Sequence, residues 1–537
     1  MTNRSSNFTP TIREAVRFVW LASALLAAAA GCGSDTESAG AIADLEMEVP
    51  SNHLSVVLAF STPEPATPEV RVHGPDGTGI VPAGARLTAA PGTEHRVGVV
   101  GLRAEQDYTF DVSARGASGT WHAPAQRYTP GPLPEHFPTL DVALTQPDEM
   151  EPGFTVVQVT SGPIWGADGR LLALDDRGEV VWYFEPERAE DITFQRPTAD
   201  GGYLFLDEVR LRSGTRRQRK IDFLGRDVAA YESDAMGTLV FHHEVVVLPN
   251  GNYLALAQSD HAVDYPAAED GAPPTTYRVG FDALVEYTPD ARVVREVDLA
   301  PLFPPDRISS RFDFDLTLLT AGAKDLTHAN SIAYDPNDGC VVMSFRNQDV
   351  VGKIDLDGPR WVWVIGEDSP ATDGDDDWPF LRLTTGSLPH HQHSAVLLPD
   401  DHLLVYDNGN GADGSACPPE CVGEYSRAVE YVVDERGGTV TQVWEWFDAT
   451  FEPRLFAPLV GSVESLSNGN VLISDSGLVN LPALTGDRWM RVVEVRPSDG
   501  AKVFDVRFPD DRPAFGDGLT GYRSFRVSSL YPPAPPG

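Results

Sequence analysis

The chain has 537 residues, 42% of them hydrophobic, which is enough for two or three domains with real cores and too apolar for a disordered polypeptide. Its 79 acidic residues outnumber 41 basic ones, and the formal charge of −38 repels phosphate backbones and argues against nucleic acid as a partner. The 48 glycines and 44 prolines suit many short strands joined by turns.

The N-terminus reads as an export signal. Arg4, Arg13 and Arg17 precede an apolar stretch, Val19 to Ala30, that is too short to span a bilayer comfortably. Ala29-Ala30-Gly31-Cys32 resembles a bacterial lipoprotein signal, so residues 1–31 are expected to be removed and Cys32 acylated. A plain secretory signal is the alternative. Lipidation would leave an exported protein anchored to a membrane, periplasmic or at the cell surface. Residues 32–44 are small and polar and read as a tether.

Residues 45–130 alternate in short β-type runs separated by turn signals such as Gly74-Pro-Asp-Gly77 and Pro91-Gly92. Leu102 stands six places before Tyr108, ahead of the alternating Thr109-Phe-Asp-Val-Ser. That spacing resembles the tyrosine corner of fibronectin type III and immunoglobulin-like β-sandwiches. Residues 131–149, opening in a Pro-rich stretch, read as a linker.

From residue 150 a phrase repeats. His243-Glu-Val-Val-Val-Leu-Pro-Asn-Gly-Asn returns as His393-Ser-Ala-Val-Leu-Leu-Pro-Asp-Asp-His, and Thr327-His-Ala-Asn-Ser-Ile is a third copy. A fourth, Gly461-Ser-Val-Glu-Ser-Leu-Ser-Asn-Gly-Asn, has no histidine. Turns at Asp168-Gly169, Asp200-Gly201, Asn250-Gly251, Asp338-Gly339, Asp400-Asp401 and Asn468-Gly469 separate paired apolar strands. Outer pairs open on Val285-Glu-Tyr, Val429-Glu-Tyr, Val493-Glu-Val, Lys220-Ile-Asp and Lys353-Ile-Asp. Four strands per unit in six units predict an all-β chain whose residues 150–537 form a six-bladed β-propeller, interrupted by insertions at 259–279, 300–326 and 367–389.

In such a ring the innermost strands line a channel, so His243, His328 and His393 should gather at one mouth. Arg346 follows the second strand of the His328 unit, and Asn330, two places after His328, should share its face. An arginine fork and several imidazoles suit a tetrahedral oxyanion, and neutral imidazole also serves as nucleophile or general acid and base. Three histidines suit zinc as well, although the guanidinium opposes a dication. His242, His390 and His391 are expected to point away or lie in loops. Cys417-Pro-Pro-Glu-Cys421 suggests a local disulfide in an exported protein, with a metal site as the weaker reading, and Cys340 should be a buried free thiol. Asp373-Gly-Asp-Asp-Asp377 lacks EF-hand spacing, and the basic run Arg210, Arg212, Arg216, Arg217, Arg219 and Lys220 reads as a solvated hairpin.

The phrases His243-Glu-Val…Pro-Asn-Gly-Asn, Thr327-His-Ala-Asn-Ser-Ile, Ser344-Phe-Arg-Asn-Gln-Asp-Val-Val, Gln392-His-Ser-Ala, Asp407-Asn-Gly and Ser426-Arg-Ala-Val-Glu-Tyr together resemble the bacterial arylsulfotransferases. The resemblance covers about residues 150–530. It implies a six-bladed propeller behind an N-terminal β-sandwich and a ping-pong transfer of sulfuryl from a phenolic sulfate ester to a phenolic acceptor. It assigns His393 as the nucleophile that becomes sulfohistidine. His243, His328 and Arg346 would hold the sulfuryl oxygens, with Asn330 a donor beside them and Ser462 a further contact. No cofactor or metal is required. Trp165, Tyr203 and Phe241 are candidate walls of an aromatic pocket, though core packing is the competing reading for each. Two other functions stay open: a non-catalytic propeller that binds a partner, and an aryl-sulfate hydrolase.

Overall fold

The structure is a computed structural model, and it describes residues 38–161, 168–186, 191–208, 216–266, 273–309, 314–315, 322–367, 378–411, 424–478, 488–509 and 518–534. Cys32 and the leader, Trp165, Arg210, Arg212, the Asp373–Asp377 run, Cys417 and Cys421 lie outside the described residues. Among the described residues no helix is long and apolar enough to cross a membrane.

Six sheets succeed one another along the chain and make a six-bladed propeller. Blades two to six run outward from Asp191–Pro197, Val240–Val247, Ala329–Tyr334, His393–Leu397 and Val460–Ser465. Blade one is assembled from both sides of the domain. Phe154–Ser161, Asp168–Leu174 and Val180–Phe184 supply its outer strands, and Ser524–Val527 returns to be its innermost. Asp168-Gly169 therefore belongs to the hairpin joining the second and third strands of its blade, unlike the other five turns, which join first to second. Asp141–Thr145 adds an outermost strand to blade six. The ring is thus stitched twice, once at its hub and once at its rim.

The repeated phrase has a physical basis in the cross-turn pairing. In blades three, five and six the third strand offers a glutamate to the first turn. Asn252 Nδ2 donates to Glu286 Oε1 at 2.7 Å and Asn470 Nδ2 to Glu494 Oε1 at 2.7 Å, while His402 pairs with Glu430. In blades two and four a lysine stands at the same register position and the turn is acidic. Lys220 Nζ lies 2.5 Å from Asp200 and Lys353 Nζ 2.6 Å from Asp338. The five residues pair with Leu204, Leu254, Val342, Leu404 and Leu472, each three places beyond the second turn residue. The Val-Glu and Lys-Ile phrases are two solutions of one task, satisfying a turn whose polar groups would otherwise be half-buried without partners. The same pairing consumes part of the basic run: Arg217 meets Asp207 at 2.6 Å and Arg219 meets Asp227 at 2.8 Å.

Apolar side chains fill the gaps between blades. Tyr203 packs against Trp182 with ring centroids 5.2 Å apart, and Phe241 against Tyr287 at 5.6 Å. Both are buried in the interblade core and not in a pocket wall. The insertion at 259–279 is the extension of one hairpin, Tyr253–Tyr265 with Thr275–Tyr287. Cys340 is a buried free thiol, pushed up to about 11 by burial.

The N-terminal unit is built on the long strand Val56–Gly74. Its first half pairs with Glu46–Glu48 and Gly92–Val99, its second with Tyr108–Gly116 and Gly77–Ile80. The register with Gly92–Val99 breaks between Ser61 and Ala66, where Pro63 and Pro65 remove backbone donors and let the strand change partners. Leu102 is buried, and the Tyr108 hydroxyl accepts from the Arg103 backbone N–H at 2.9 Å, so the corner spacing corresponds to a real local clasp. The unit shares a hydrophobic core with blades one and six and is latched to blade one by Arg103 on Asp175 and Tyr183 on the Ser51 carbonyl.

Candidate active site

The six innermost strands line a cavity of about 1160 Å³, and each blade contributes to it: Phe525, Arg196, Glu244, Ser331, Ser394 and Glu464. The histidines stand where these strands begin. At that end the chain departs from regular β geometry three times. His243, His328 and Ser394 have φ of +47°, +51° and +54°, in the left-handed region that costs a non-glycine residue about 1–3 kcal/mol. Register breaks fall at Phe241/Val245, Ala329/Ser331 and His393/Val396. Bulges of this kind re-aim side chains, and here they turn imidazoles toward the hub.

The fourth copy of the phrase lacks a histidine for a steric reason. Gly461 stands seven residues before Asn468, as His243 does before Asn250 and His393 before Asp400. Its φ is +143°, and a Cβ there would lie 2.2 Å from Cε1 of Tyr406, which is fully buried and bonded to Asp475 at 2.8 Å. Gly461→Ala is expected to destabilise the fold by about 2–3 kcal/mol through overpacking, seen as a lower urea midpoint.

His393 is 1% exposed, and its Nδ1 lies 2.7 Å from Asn408 Oδ1. The Asn408 amide gives its protons to the carbonyls of Ala457 and Val460, so the oxygen must face the ring. Nδ1 of His393 therefore carries the proton and Nε2 the lone pair. Burial holds the imidazole well below its ordinary pKa, and the nearby charges of Arg346 and His328 push the same way. The peptide before it is braced by Gln392, whose amide donates to Val350 at 2.8 Å and whose carbonyl accepts from Asn330 Nδ2 at 2.8 Å.

His328 is oriented by a carboxylate: its Nδ1 lies 2.5 Å from Asp325 Oδ2. Arg346 is clipped to the same segment, its backbone N–H donating to the His328 carbonyl at 3.1 Å. Its guanidinium is aimed by Asn347 Oδ1 at 3.0 Å and the Pro458 carbonyl at 3.3 Å, so blade six helps place a side chain of blade four.

His243 and His328 meet ring to ring with centroids 4.8 Å apart. Tyr522, from the closing segment before Ser524–Val527, stands between the two halves of the cluster, 5.9 Å from the His243 ring and 5.8 Å from the His393 ring. Its hydroxyl donates to the Asn330 carbonyl at 2.8 Å. The next residue, Arg523, pairs with Glu244, which Arg196 also reaches at 3.1 Å. Tyr522 and that ion-pair group form a floor between the histidines and the cavity.

The structure thus gathers His243, His328, Arg346 and His393 into one environment. Asn330 is close by, but its amide is spent on Gln392, and its buried Oδ1 has no hydrogen-bond partner among the described residues. Ser462 lies on the neighbouring innermost strand, buried opposite Ser474, and its successor Val463 meets Ser394. His242 does not point away: its Nδ1 is 3.0 Å from His243 Nδ1, because the left-handed turn at His243 breaks the alternation. His391 is turned aside onto Asp349 at 2.8 Å. Tyr522, Asn408, Gln392, Asp325 and Asp282 escaped sequence reasoning, although Asn408 and Gln392 sat within quoted phrases. Among the described residues no three His, Cys, Asp or Glu side chains are grouped to hold a metal ion.

Fold and cluster together define a six-bladed propeller whose hub gathers imidazoles and the Arg346 guanidinium. The chain belongs to the arylsulfotransferase (ASST) family, whose model matches residues 140–523. It is 28% identical over 372 residues to "Arylsulfate sulfotransferase AssT" of Escherichia coli O6:H1 (strain CFT073), a match covering 57% of each chain. It is 25% identical over 367 residues to the protein of the same name from Lelliottia amnigena, covering 58% of each. The matched segment is therefore little more than half the length of these relatives. Among solved structures, the β-propeller domain of Myceliophteria thermophila Cps50 (Swd1) is 11% identical, covering 65% of this chain and 88% of that one, with a TM-score of 0.32, too low to bear on the fold.

Proposed function

We propose that the chain is an aryl-sulfate sulfotransferase that moves a sulfuryl group from a phenolic sulfate ester to a phenolic acceptor through a sulfohistidine on His393. The observation that carries this reading is the seat of His393: its Nδ1 is held 2.7 Å from Asn408 Oδ1, which leaves Nε2 to carry the lone pair, in a buried site where burial first and then Arg346 disfavour the charged ring. A nucleophile must offer an unprotonated nitrogen. Sulfuryl transfer, like phosphoryl transfer, builds charge on peripheral oxygens in a loose transition state, and fixed donors stabilise it. In the first step the Nε2–S bond forms as the S–O bond to the donor phenol breaks. In the second the acceptor oxygen displaces Nε2, and the imidazole is released neutral. Arg346 and His328 hold the sulfuryl oxygens, His243 faces the phenol oxygen, and Tyr522 fills the space beneath them.

The N-terminal segment extends the proposal. Acylation of Cys32 would tether the enzyme to a membrane in an exported compartment, and the pair Cys417 and Cys421 would be oxidised there.

Incubation with a chromogenic aryl sulfate tests the reading. Phenol release should depend on added acceptor after a single burst, and the donor-treated protein should carry one SO₃ on the peptide containing His393. Release that proceeds equally without a phenol would make it a hydrolase, and no release would leave a partner-binding propeller.

A further inference from the structure

Behind His243 lies a buried pair that the proposed transfer does not yet use. His242 and Asp282 are each 1% exposed. His242 Nδ1 is 3.0 Å from His243 Nδ1, and His242 Nε2 is 3.0 Å from Asp282 Oδ1, a close contact without hydrogen-bond alignment. The other carboxylate oxygen of Asp282 accepts from the Ala329 N–H at 2.7 Å and from the Thr327 hydroxyl, the residues flanking His328. Asp282 is therefore fixed by blade four while it faces a histidine of blade three.

Resting on the transferase reading, we propose that Asp282, His242 and His243 form a proton relay that takes the proton from the acceptor phenol. The carboxylate keeps a proton on Nε2 of His242, because a lone pair there would face negative oxygen. In the sulfated enzyme His242 Nδ1 accepts from His243 Nδ1–H, and Nε2 of His243 carries the lone pair. As the acceptor attacks, its O–H bond breaks and His243 Nε2–H forms. The Nδ1 proton of His243 passes to His242 Nδ1. The positive charge ends on His242 beside Asp282, away from the sulfur, and the phenoxide displaces Nε2 of His393. The free enzyme enters the first step with that proton on the relay: His243 Nε2–H gives its proton to the departing phenoxide, His242 Nδ1–H passes one to His243 Nδ1, and the relay is left neutral for the acceptor. The assignment separates three imidazoles by their partners: His393 is fixed by a neutral amide, His328 by a carboxylate directly, and His243 by a carboxylate through a second imidazole. His242 and Asp282 are positioning residues, since neither touches substrate.

The test uses the full chain with 4-nitrophenyl sulfate as donor and a series of phenols of graded acidity as acceptors. In the wild type, transfer rate should vary little with acceptor acidity. Because 4-nitrophenoxide departs with little need of a proton, Asp282→Asn and His242→Gln should each slow the nitrophenol burst far less than transfer to unsubstituted phenol. Each should slow transfer to unsubstituted phenol on the order of 100-fold, the lower range for general acid–base catalysis, and the deficit should shrink for acidic phenols. An equal loss with every acceptor, a lost burst in both variants, or full activity with unsubstituted phenol would overturn the relay. If neither variant folds, the wild-type series decides: a steep dependence on acceptor acidity would overturn it. Absence of any transfer in the wild type would instead overturn the transferase reading itself.

Discussion

His393→Ala should abolish turnover, with a loss of at least about 10⁴-fold, as expected when the nucleophile of a covalent mechanism is removed. The burst of phenol and the SO₃ adduct should vanish together. A structural effect can be separated from a chemical one. His393 is fully buried, and its removal leaves Asn408 Oδ1 without its ring partner, which costs stability of about 1–3 kcal/mol. A variant that retains a cooperative melt but forms no adduct supports the nucleophile assignment. An active His393→Ala enzyme, or an adduct on another histidine, would remove it.

Arg346→Met should lower kcat about 10²–10³-fold, the magnitude seen when one preorganised donor to a developing oxyanion is lost. Both half-reactions should suffer, because in the proposed mechanism the guanidinium holds the sulfuryl oxygens on entry and on departure. Arg346→Lys should recover little, since a point charge cannot reproduce a planar fork held by Asn347 Oδ1 and the Pro458 carbonyl. Equal kcat in Arg346→Met and wild type would mean that the sulfuryl group sits elsewhere. The contrast with the relay variants is diagnostic: loss of Arg346 should be felt whatever the acceptor.

Much of the ring was legible because turn chemistry is local. Asn250-Gly251, Asp338-Gly339 and Asn468-Gly469 mark hairpins by the backbone they require, and the histidines could be placed by counting back from them. The Val-Glu and Lys-Ile phrases were visible as a rhythm, yet their meaning was not, because Glu286 reaches Asn252 only across a folded hairpin. His242 was misread for a related reason. Alternation assigns it to the opposite face, and the bulge that overrides alternation at His243 leaves no composition signal. Tyr522 joins the cluster from the closing segment of blade one and Asp282 from the third strand of blade three, so no spacing rule connects either to the histidines, while Gln392 adjoins His393 and shows its role only through its contact with Val350. In the N-terminal unit, Leu102 and Tyr108 gave the corner, while the change of partners within Val56–Gly74 depended on two prolines whose effect appears only when both halves of the strand are paired.

The hub stitch at blade one has a temporal consequence. Every imidazole of the hub, and the arginine with them, leaves the ribosome before residues 519–527. Until that segment zips onto Phe154–Ser161, the blades have no last neighbour and the histidines have no Tyr522 or Arg523 beneath them. If the proposed transfer holds, a half-made chain has no sheltered His393 to offer a sulfuryl group, and activity becomes a gauge of whether the circle has shut.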